Sequence, residues 1–291
     1  MTPSDRARSL TDRVRFVANE RAVDVARLRR QLVFQCVLAR LAVDDVWVLK
    51  GGYCLEVRLG GVARATKDLD LAFRGDASLI DAHQMSELLE TALDRELDDG
   101  FTFSIDEPKA LAAAEAGQPG WRVSVRAFIG GAAFETVKLD VVVRAAEIRG
   151  GTGPLAVEPV LQSPEFTSIV IAAVDIPQHA AEKTHAYARI YAHDRPSSRV
   201  KDLVDLVLLI EAGLLEPRSW AVRLVHVFTV RDRTPPPAEL PEPPESWRVP
   251  YGAMGEELQL AASDLDAGWR LVAEMYAIAV TAFDEHHLDM E

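Results

Sequence analysis

The chain has 291 residues, of which 48% are hydrophobic and 26% are charged, a balance that excludes a disordered chain. No apolar run is long enough to span a bilayer, and the residues after Met1 lack the apolar segment of a signal peptide, so we expect a cytoplasmic protein without membrane contact. The two cysteines, Cys36 and Cys54, exclude a disulfide framework and a zinc site made of cysteines alone, and both are predicted to be packing residues.

The charged residues are unevenly distributed along the chain. The net charge of −13 argues against an extensive nucleic-acid-binding surface. Residues 1–67 nevertheless hold 13 Lys and Arg against 7 Asp and Glu, whereas residues 68–291 hold 19 against 38. A basic N-terminal region is able to bind a polyanion locally, because salt confines charge effects to about 10 Å. The alternative is a set of solvated helix faces.

The first half of the chain mixes helical and strand patterns. Apolar residues recur at helical spacing in residues 8–43, and they alternate as in a strand from Leu69 to Phe73. Gly130-Gly131 has the composition of a hairpin turn. The predicted helices are 8–43, 53–59 and 81–97, and the predicted strands are 46–49, 69–73, 101–105, 121–128 and 134–143.

From about residue 165 onward the pattern is helical. Helices are predicted at 178–192, 200–212 and 252–285, with Gly213 ending the second of them. Seven prolines between residues 233 and 250 predict an extended connector. We therefore predict an α/β domain with N-terminal helices in residues 1–160, followed by a helical domain in residues 161–291.

One constellation in the first half carries chemistry. A short strand ends at Lys50-Gly51-Gly52, a helix follows, and the next strand begins with Asp68-Leu69-Asp70. Side chains two residues apart on a strand share a face, so both carboxylates are able to contact one Mg²⁺ ion. Glycines before a helix leave backbone N–H groups available to phosphate oxygens. The alternative for each feature by itself is a plain turn and a solvated or salt-bridged pair of aspartates.

A third carboxylate is expected from a neighbouring strand. Asp140 lies in the apolar run Val137 to Val143, where an ionised group is costly without a partner. A metal ion shared with Asp68 and Asp70 would supply that partner. The alternative is an aspartate at a strand end, or one paired with an arginine.

Four segments together resemble the AbiEii/AbiGii nucleotidyltransferase toxin family, which includes the MenT toxins of mycobacteria. These segments are Lys50–Arg58, Arg64–Asp70, Glu182–Ala186 and Lys201–Leu206. The resemblance implies an α/β (α+β) fold with a polymerase β-type nucleotidyltransferase core, in which a mixed sheet is flanked by helices, and a helical C-terminal part.

The resemblance also implies roles for individual residues. Asp68 and Asp70 are expected to bind the metal and act in catalysis together with Lys183 and Asp205. Lys183 is expected to contact the nucleotide phosphates, since lysine is a compact cation. Asp202 lies on the same helix face as Asp205, so either aspartate is a candidate for the working carboxylate. The expected nucleotide-binding residues are Lys50, Gly51, Gly52, Thr66, Lys67 and Lys183.

The reaction implied is transfer of a nucleoside monophosphate from an NTP to a hydroxyl, with Mg²⁺ or Mn²⁺ as cofactor. Relatives add nucleotides, pyrimidines in some members, to the 3′ end of tRNA and thereby block translation, and a cognate antitoxin is the expected partner. Alternative acceptors are a protein or small-molecule hydroxyl, and a further alternative is a non-catalytic nucleotide-binding module. The arginines considered for contacts to an RNA backbone are Arg27, Arg29, Arg30, Arg58 and Arg64.

Two positions near the motifs need separate comment. Tyr53 stands where the family has a small hydroxyl residue after Gly-Gly, and its hydroxyl lies too far from the backbone to bind phosphate in the same way. This departure favours the non-catalytic alternative. Thr66 corresponds to a hydroxyl that is open to antitoxin-dependent modification in the family, and a phosphate there would repel nucleotide or disturb metal binding. The alternative for Thr66 is a plain strand threonine.

Overall fold

The computed structural model describes residues 3–76, 80–111, 119–189 and 199–288. The chain forms two compact units, each built from separated segments. The first unit comprises Met1–Val57, Ala65–Ala145 and Gly153–Ala173, and the second comprises Arg58–Arg64, Ala146–Thr152 and Val174–Glu291. The sequence predicted one boundary, between residues 160 and 161. The two units have several boundaries instead, because the chain passes between them more than once.

A mixed β-sheet forms the frame of the first unit. In the described part of the chain its order is β3-β5-β6-β2-β1-β8-β7, with β4 beside β5. The strands are β1 Trp47–Lys50, β2 Asp68–Phe73, β3 Phe101–Ile105, β4 Lys109–Ala110, β5 Gly120–Ile129, β6 Ala132–Val143, β7 Thr152–Val157 and β8 Ile169–Val174. Parallel pairs (β2 with β6, β1 with β8) occur beside antiparallel ones (β1 with β2, β5 with β6), which confirms the predicted mixed sheet.

The hairpin of β5 and β6 is the longest pairing in the sheet. Gly130 and Gly131 both have positive φ, at 55° and 78°, as the tight turn between twisted strands requires, so the predicted hairpin turn is confirmed. A register shift between Ala127 and Phe128 marks a β-bulge in this hairpin, and the sequence patterns did not predict it.

Helices cover this sheet. The helices that begin in the first unit are α1 Pro3–Glu20, α2 Val25–Leu41, α3 Gly51–Leu59 and α4 Ala82–Leu93. The predicted single helical region at 8–43 is therefore two helices, because Ala22 has a φ of +52° and the Asp24 side chain caps the start of α2. Helix α4 ends four residues before the predicted Leu97. Arg95 instead binds Asp44 at 2.7 Å, which a continued helix would not favour.

The second unit is helical. Its helices are α5 Ile176–Ala188, α6 Val200–Glu211, α7 Pro217–Asp232, α8 Arg248–Glu257 and α9 Leu265–Leu288. Helix α5 packs against α6 and α7, and α9 packs against the same two helices. No described helix combines the length and apolar character that crossing a bilayer requires.

Several element predictions in the second half need correction. The expectation of helices alone after about residue 165 is wrong for 169–174, where β8 pairs with β1. The connector at 233–250 is irregular only to Pro244, since a 3-10 turn spans Glu245–Trp247 and α8 follows. The predicted helix at 252–285 is two helices interrupted around Gln259, whose φ is +54°. Residues 190–192 of the predicted helix 178–192 lie outside the described residues.

Candidate functional site

Four charged residues lie in register across four neighbouring strands of the first unit. Arg122 on β5 is opposite Asp140 on β6, Asp140 is opposite Asp70 on β2, and Asp70 is opposite Lys50 on β1. Directly paired residues project from the same face of a sheet. The structure therefore brings Asp70 and Asp140 side by side on one face, between two cations. These two carboxylates and Asp68, which precedes Asp70 by two residues on β2, are called the carboxylate row.

The alternation of residues on β2 and β6 explains why these carboxylates share that face. Leu69, Leu71, Leu139 and Val141 are fully buried, and they occupy the positions between the polar ones. Asp68 projects from the same face as Asp70, because it lies two residues earlier on the strand. The predicted juxtaposition of Asp68 and Asp70 is thus a direct result of strand periodicity.

Gly51 makes room for Asp70. It is the first residue of α3 and has a φ of +63°, and a Cβ atom there would lie 2.0 Å from Oδ2 of Asp70. The Gly52 N–H donates to the same oxygen over 3.4 Å. Gly51 is therefore required both for its backbone conformation and for the close approach of the carboxylate. One of the N–H groups predicted to face phosphate is directed at Asp70.

Asp140 is held by Arg122. Nε of Arg122 donates to Oδ1 of Asp140 over 2.7 Å, and Nη2 donates to Oδ2 over 2.5 Å. Nη2 also lies 3.8 Å from Oδ2 of Asp68. Asp140 is thus paired with an arginine in the structure, as in the alternative that the sequence analysis gave for it.

The carboxylates of β2 suit a Mg²⁺ ion. The ion prefers oxygen ligands and is commonly held by one or two carboxylates together with substrate phosphates. Asp68 and Asp70 supply such oxygens at a place where Gly51 leaves no side chain. In the part of the chain that the structure describes, no three His, Cys, Asp or Glu side chains are grouped to hold a metal ion.

Lys183 lies in the second unit, within a buried cluster of charges. Its Nζ is 2.9 Å from Oδ1 of Asp202 and 2.7 Å from Oδ2 of Asp205. Arg64 donates to both oxygens of Asp205, over 2.8 and 2.9 Å, and Arg199 donates to Asp202 over 2.6 Å. We call these five residues the lysine cluster.

Burial and charge oppose each other in this cluster. Burial by itself would lower the pKa of Lys183, but Asp202 and Asp205 more than reverse this effect and hold the pKa above its ordinary value. Burial would likewise raise the pKa of Asp205, whereas Lys183 and Arg64 lower it to about 2. Lys183 and Asp205 are therefore both charged across the physiological range.

Asp202 and Asp205 both contact Lys183, so the structure does not select one of them by proximity alone. They lie three residues apart on α6, and that spacing places them on one face of a helix. They differ in their second partner, since the arginine bound to Asp205 comes from the segment that also carries Asp68. Both aspartates therefore remain candidates for the working carboxylate.

Thr66 and Lys67 have opposite surroundings. Thr66 is buried, its Oγ1 donates to the Asp68 carbonyl over 3.2 Å, and its N–H donates to Oε2 of Glu56 over 3.4 Å. Lys67 is exposed. Burial of the Thr66 hydroxyl restricts access for a modifying enzyme, whereas Lys67 is accessible to a phosphate.

Tyr53 is a core residue. It is 3% exposed, and its ring meets that of Phe34 edge to face at 4.9 Å between centroids. Burial, with a smaller effect of Glu56, raises the pKa of the Tyr53 hydroxyl above its ordinary value. The position after Gly-Gly points into the core here, so the departure from the family pattern concerns packing and not the phosphate-binding surface.

The five arginines considered for RNA contacts all donate to groups of the protein. Three pair with carboxylates, and one of these, Arg29, also donates to the Phe134 carbonyl. The other two donate to backbone carbonyls. The pairs are Arg27–Glu56, Arg29–Glu135, Arg64–Asp205, Arg30–Thr66 O and Arg58–Val174 O. These arginines therefore have structural partners, whatever further contacts they make.

Two functional candidates were missed from the sequence. Arg122 belongs to a strand in which alternate residues are polar, but the β-bulge decides its position opposite Asp140. Glu56 is 5% exposed and accepts from Arg27 and Gln31. The available signal in the sequence was a glutamate within an apolar helix, because a buried carboxylate requires partners. The predicted packing role of Cys36 and Cys54 is confirmed, since both side chains are buried and neither forms a disulfide.

Comparison with solved structures identifies the fold. MenT4, a nucleotidyltransferase toxin from Mycobacterium tuberculosis H37Rv, matches with a TM-score of 0.55 and 18% identity over 91% of this chain and 89% of that one. An antigenic nucleotidyltransferase-like protein from Paracoccidioides brasiliensis matches with a TM-score of 0.39 and 15% identity over 70% of this chain and 89% of the other, too low to carry an argument.

Comparison of sequences identifies the family. No curated protein sequence matches the chain significantly. A family model described as the nucleotidyl transferase AbiEii toxin of a type IV toxin–antitoxin system matches residues 32–285, a range that includes both the carboxylate row and the lysine cluster. The chain therefore belongs to the AbiEii family and is a nucleotidyltransferase toxin.

Proposed function

We propose that this toxin transfers a nucleoside monophosphate from an NTP to an acceptor hydroxyl in a Mg²⁺-dependent reaction, and that the acceptor is the 3′ end of tRNA. The observation that carries the proposal is the pair Asp68 and Asp70 on one face of β2, beside the start of α3 at Gly51. Membership of a toxin–antitoxin family also implies an antitoxin partner.

The carboxylate pair supports metal dependence. Asp68 and Asp70 would hold the ion, which when bound neutralises triphosphate charge and activates the attacking hydroxyl. Phosphoryl transfer depends mainly on positioning and on charge stabilisation, so the chain's task is to keep these oxygens in place. Gly51 does this for Asp70 by leaving the space that the carboxylate occupies.

The cations near the motif support binding of a triphosphate. Lys50 flanks Asp70 in register on β1, and the exposed Lys67 immediately precedes Asp68. Lysine is a compact cation suited to phosphate oxygens. Lys183, in the second unit, is held by Asp202 and Asp205, and the family resemblance assigns it to the nucleotide phosphates.

The acceptor follows from the resemblance to MenT-like toxins. The 3′ end of tRNA is single-stranded, and unpaired bases are able to stack on protein side chains. A protein or small-molecule hydroxyl is the second candidate, because the chain is acidic overall. The non-catalytic alternative loses its main argument, since Tyr53 is buried in the core.

The testing experiment incubates the purified protein with Mg²⁺, each of the four α-labelled NTPs in turn, and total bacterial tRNA. We expect label from one or two NTPs, pyrimidines first, at the tRNA 3′ end. Periodate-oxidised tRNA, which lacks the 3′ diol, should remain unlabelled, and so should intact tRNA incubated with Asp70→Asn.

The outcomes separate the candidates. Label on a protein band with unlabelled tRNA would replace the proposed acceptor. Nucleotide binding without pyrophosphate release by any NTP, in the presence of Mg²⁺ or Mn²⁺ and every acceptor, would contradict the transferase activity proposed here. EDTA should abolish labelling, and transfer that survives EDTA would contradict the metal dependence.

A further inference from the structure

We propose that Arg122 is a resident counterion of the carboxylate row: it binds Asp140, keeps that carboxylate from acting as a metal ligand, and limits the affinity of Asp68 and Asp70 for metal. The inference rests on the proposed metal-dependent function. It differs from the sequence-based prediction of a three-aspartate metal site.

Arg122 and Asp140 form a bidentate pair. Arg122 meets Asp140 through two parallel hydrogen bonds of 2.7 and 2.5 Å, the bidentate arrangement that a planar guanidinium offers a carboxylate. The Asp140 side chain is 15% exposed, against 42% for Arg122. A carboxylate that is largely removed from water needs such a partner, and Arg122 supplies it without a metal ion.

The guanidinium of Arg122 also lies near Asp68. The Nη2 that donates to Asp140 also lies 3.8 Å from Oδ2 of Asp68. A divalent ion bound at Asp68 would therefore stand close to a positive charge. An arginine guanidinium stays protonated at every accessible pH, so this charge is permanent.

Strand register builds the pairing of Arg122 and Asp140 into the sheet. Arg122 and Asp140 are direct cross-strand partners, and the register shift at Ala127 and Phe128 is what aligns them. Without the bulge, Arg122 would face Leu139, which points to the other side of β6. Bulges commonly redirect a side chain beside functional sites.

The test measures Mn²⁺ binding in the absence of NTP, by loss of the free Mn²⁺ signal in electron paramagnetic resonance. Arg122→Gln should bind Mn²⁺ about 10-fold more tightly than the natural chain, because it removes a nearby positive charge and releases Asp140. The charge-neutral double substitution Arg122→Gln with Asp140→Asn should bind within about 3-fold of the natural chain. Asp70→Asn should bind at least about 10-fold more weakly.

The matched control is Arg126→Gln. Arg126 lies on the same strand, four residues further along, and pairs with Asp106 at 2.5 Å. Its removal should leave Mn²⁺ affinity within about 2-fold, because charges that are distant and exposed are screened. Circular dichroism verifies that each variant is folded. The double variant leaves no unpaired carboxylate and thus tests the proposal even where Arg122→Gln is unstable.

Each result decides the proposal. A double variant as weak as Asp70→Asn would show that Asp140 is a metal ligand and would overturn it, and so would unchanged or weaker binding by Arg122→Gln. Absence of Mn²⁺ binding in every variant would overturn it as well, whereas binding that appears only in Arg122→Gln would support it. A protein that follows the expected order of affinities but labels no acceptor would refute the proposed function and leave this inference in place.

Discussion

The carboxylate row and the lysine cluster hold their charges in different ways. In the lysine cluster, Asp205 is 1% exposed and has cationic nitrogens of Lys183 and Arg64 at 2.7 to 2.9 Å. In the first unit, Asp68 is 37% exposed, and its ion pair with Arg122 spans 3.8 Å. The protein itself therefore balances the charges of the lysine cluster, whereas Asp68 has coordination capacity left for an added cation. Loss of a charge should therefore reduce stability in the lysine cluster and activity in the row.

The largest expected effect comes from Asp68→Asn. A metal ion contributes several kcal/mol of transition-state stabilisation, so removing a ligand should lower nucleotide transfer by about 1000-fold or more. The melting temperature should change little, because the side chain is partly solvated. Transfer assays and thermal melts measure the two quantities. Asp106→Asn, an exposed aspartate also paired with an arginine, is the control, and equal losses in both variants would contradict the assignment.

Lys183→Met tests the expectation that loss of a charge in the lysine cluster reduces stability. Removing one partner of a buried ion pair costs about 3–5 kcal/mol in the free energy of unfolding, since uncompensated charge stays buried. Urea unfolding followed by circular dichroism measures it. Lys201→Met, at an exposed position of α6, should leave stability within about 0.5 kcal/mol. If Lys183→Met were as stable as the natural chain and yet inactive, the cluster would be purely catalytic and the comparison would fail.

Gly51→Ala tests how the row is positioned. Gly51 and Gly60 have φ angles of +63° and +61°, but only at Gly51 would a Cβ atom meet Asp70, at 2.0 Å, whereas nothing lies within 4 Å at Gly60. Both alanines should cost about 1–2 kcal/mol of stability for left-handed backbone. Displacement of Asp70 should add an activity loss of about 100-fold in Gly51→Ala alone. Similar transfer rates in the two variants would show that the approach of Asp70 to α3 is unimportant.

The smallest expected effect is the loss of stability that acid causes at the lysine cluster. The pKa of Asp205 is lowered from 3.8 to about 2, so the folded state holds this carboxylate ionised more firmly than the unfolded chain does. This shift contributes about 2 kcal/mol to the free energy of unfolding. The contribution is complete above about pH 5 and is lost as the pH falls through about 2. The difference in unfolding free energy between the natural chain and Asp205→Asn should shrink over this window. A constant difference from pH 5 to pH 2 would contradict the coupling.

Local patterns predicted most of the elements near the site. The strand with Asp68 and Asp70, the helix after Gly51 and the hairpin at Gly130 and Gly131 all follow from spacing and turn chemistry within a few residues. The break between α1 and α2 and the strand β8 were not predicted. Ala22 adopts a rare φ angle, and β8 is determined by pairing with a distant strand, so neither has a reliable local pattern.

The sequence by itself determined the family and the position of Asp68 and Asp70 on one face, and it predicted roles for Lys183 and Asp205. Alternation on a strand and motif spacing are local properties, which explains why they could be read directly. Only the tertiary structure decided that Arg122 binds Asp140, that Arg64 binds Asp205, and that Tyr53 enters the core. Arg64 and Asp205 are 141 residues apart, and a single bulge sets the partner of Arg122. Such pairings depend on register and on long-range packing, and no local pattern specifies them.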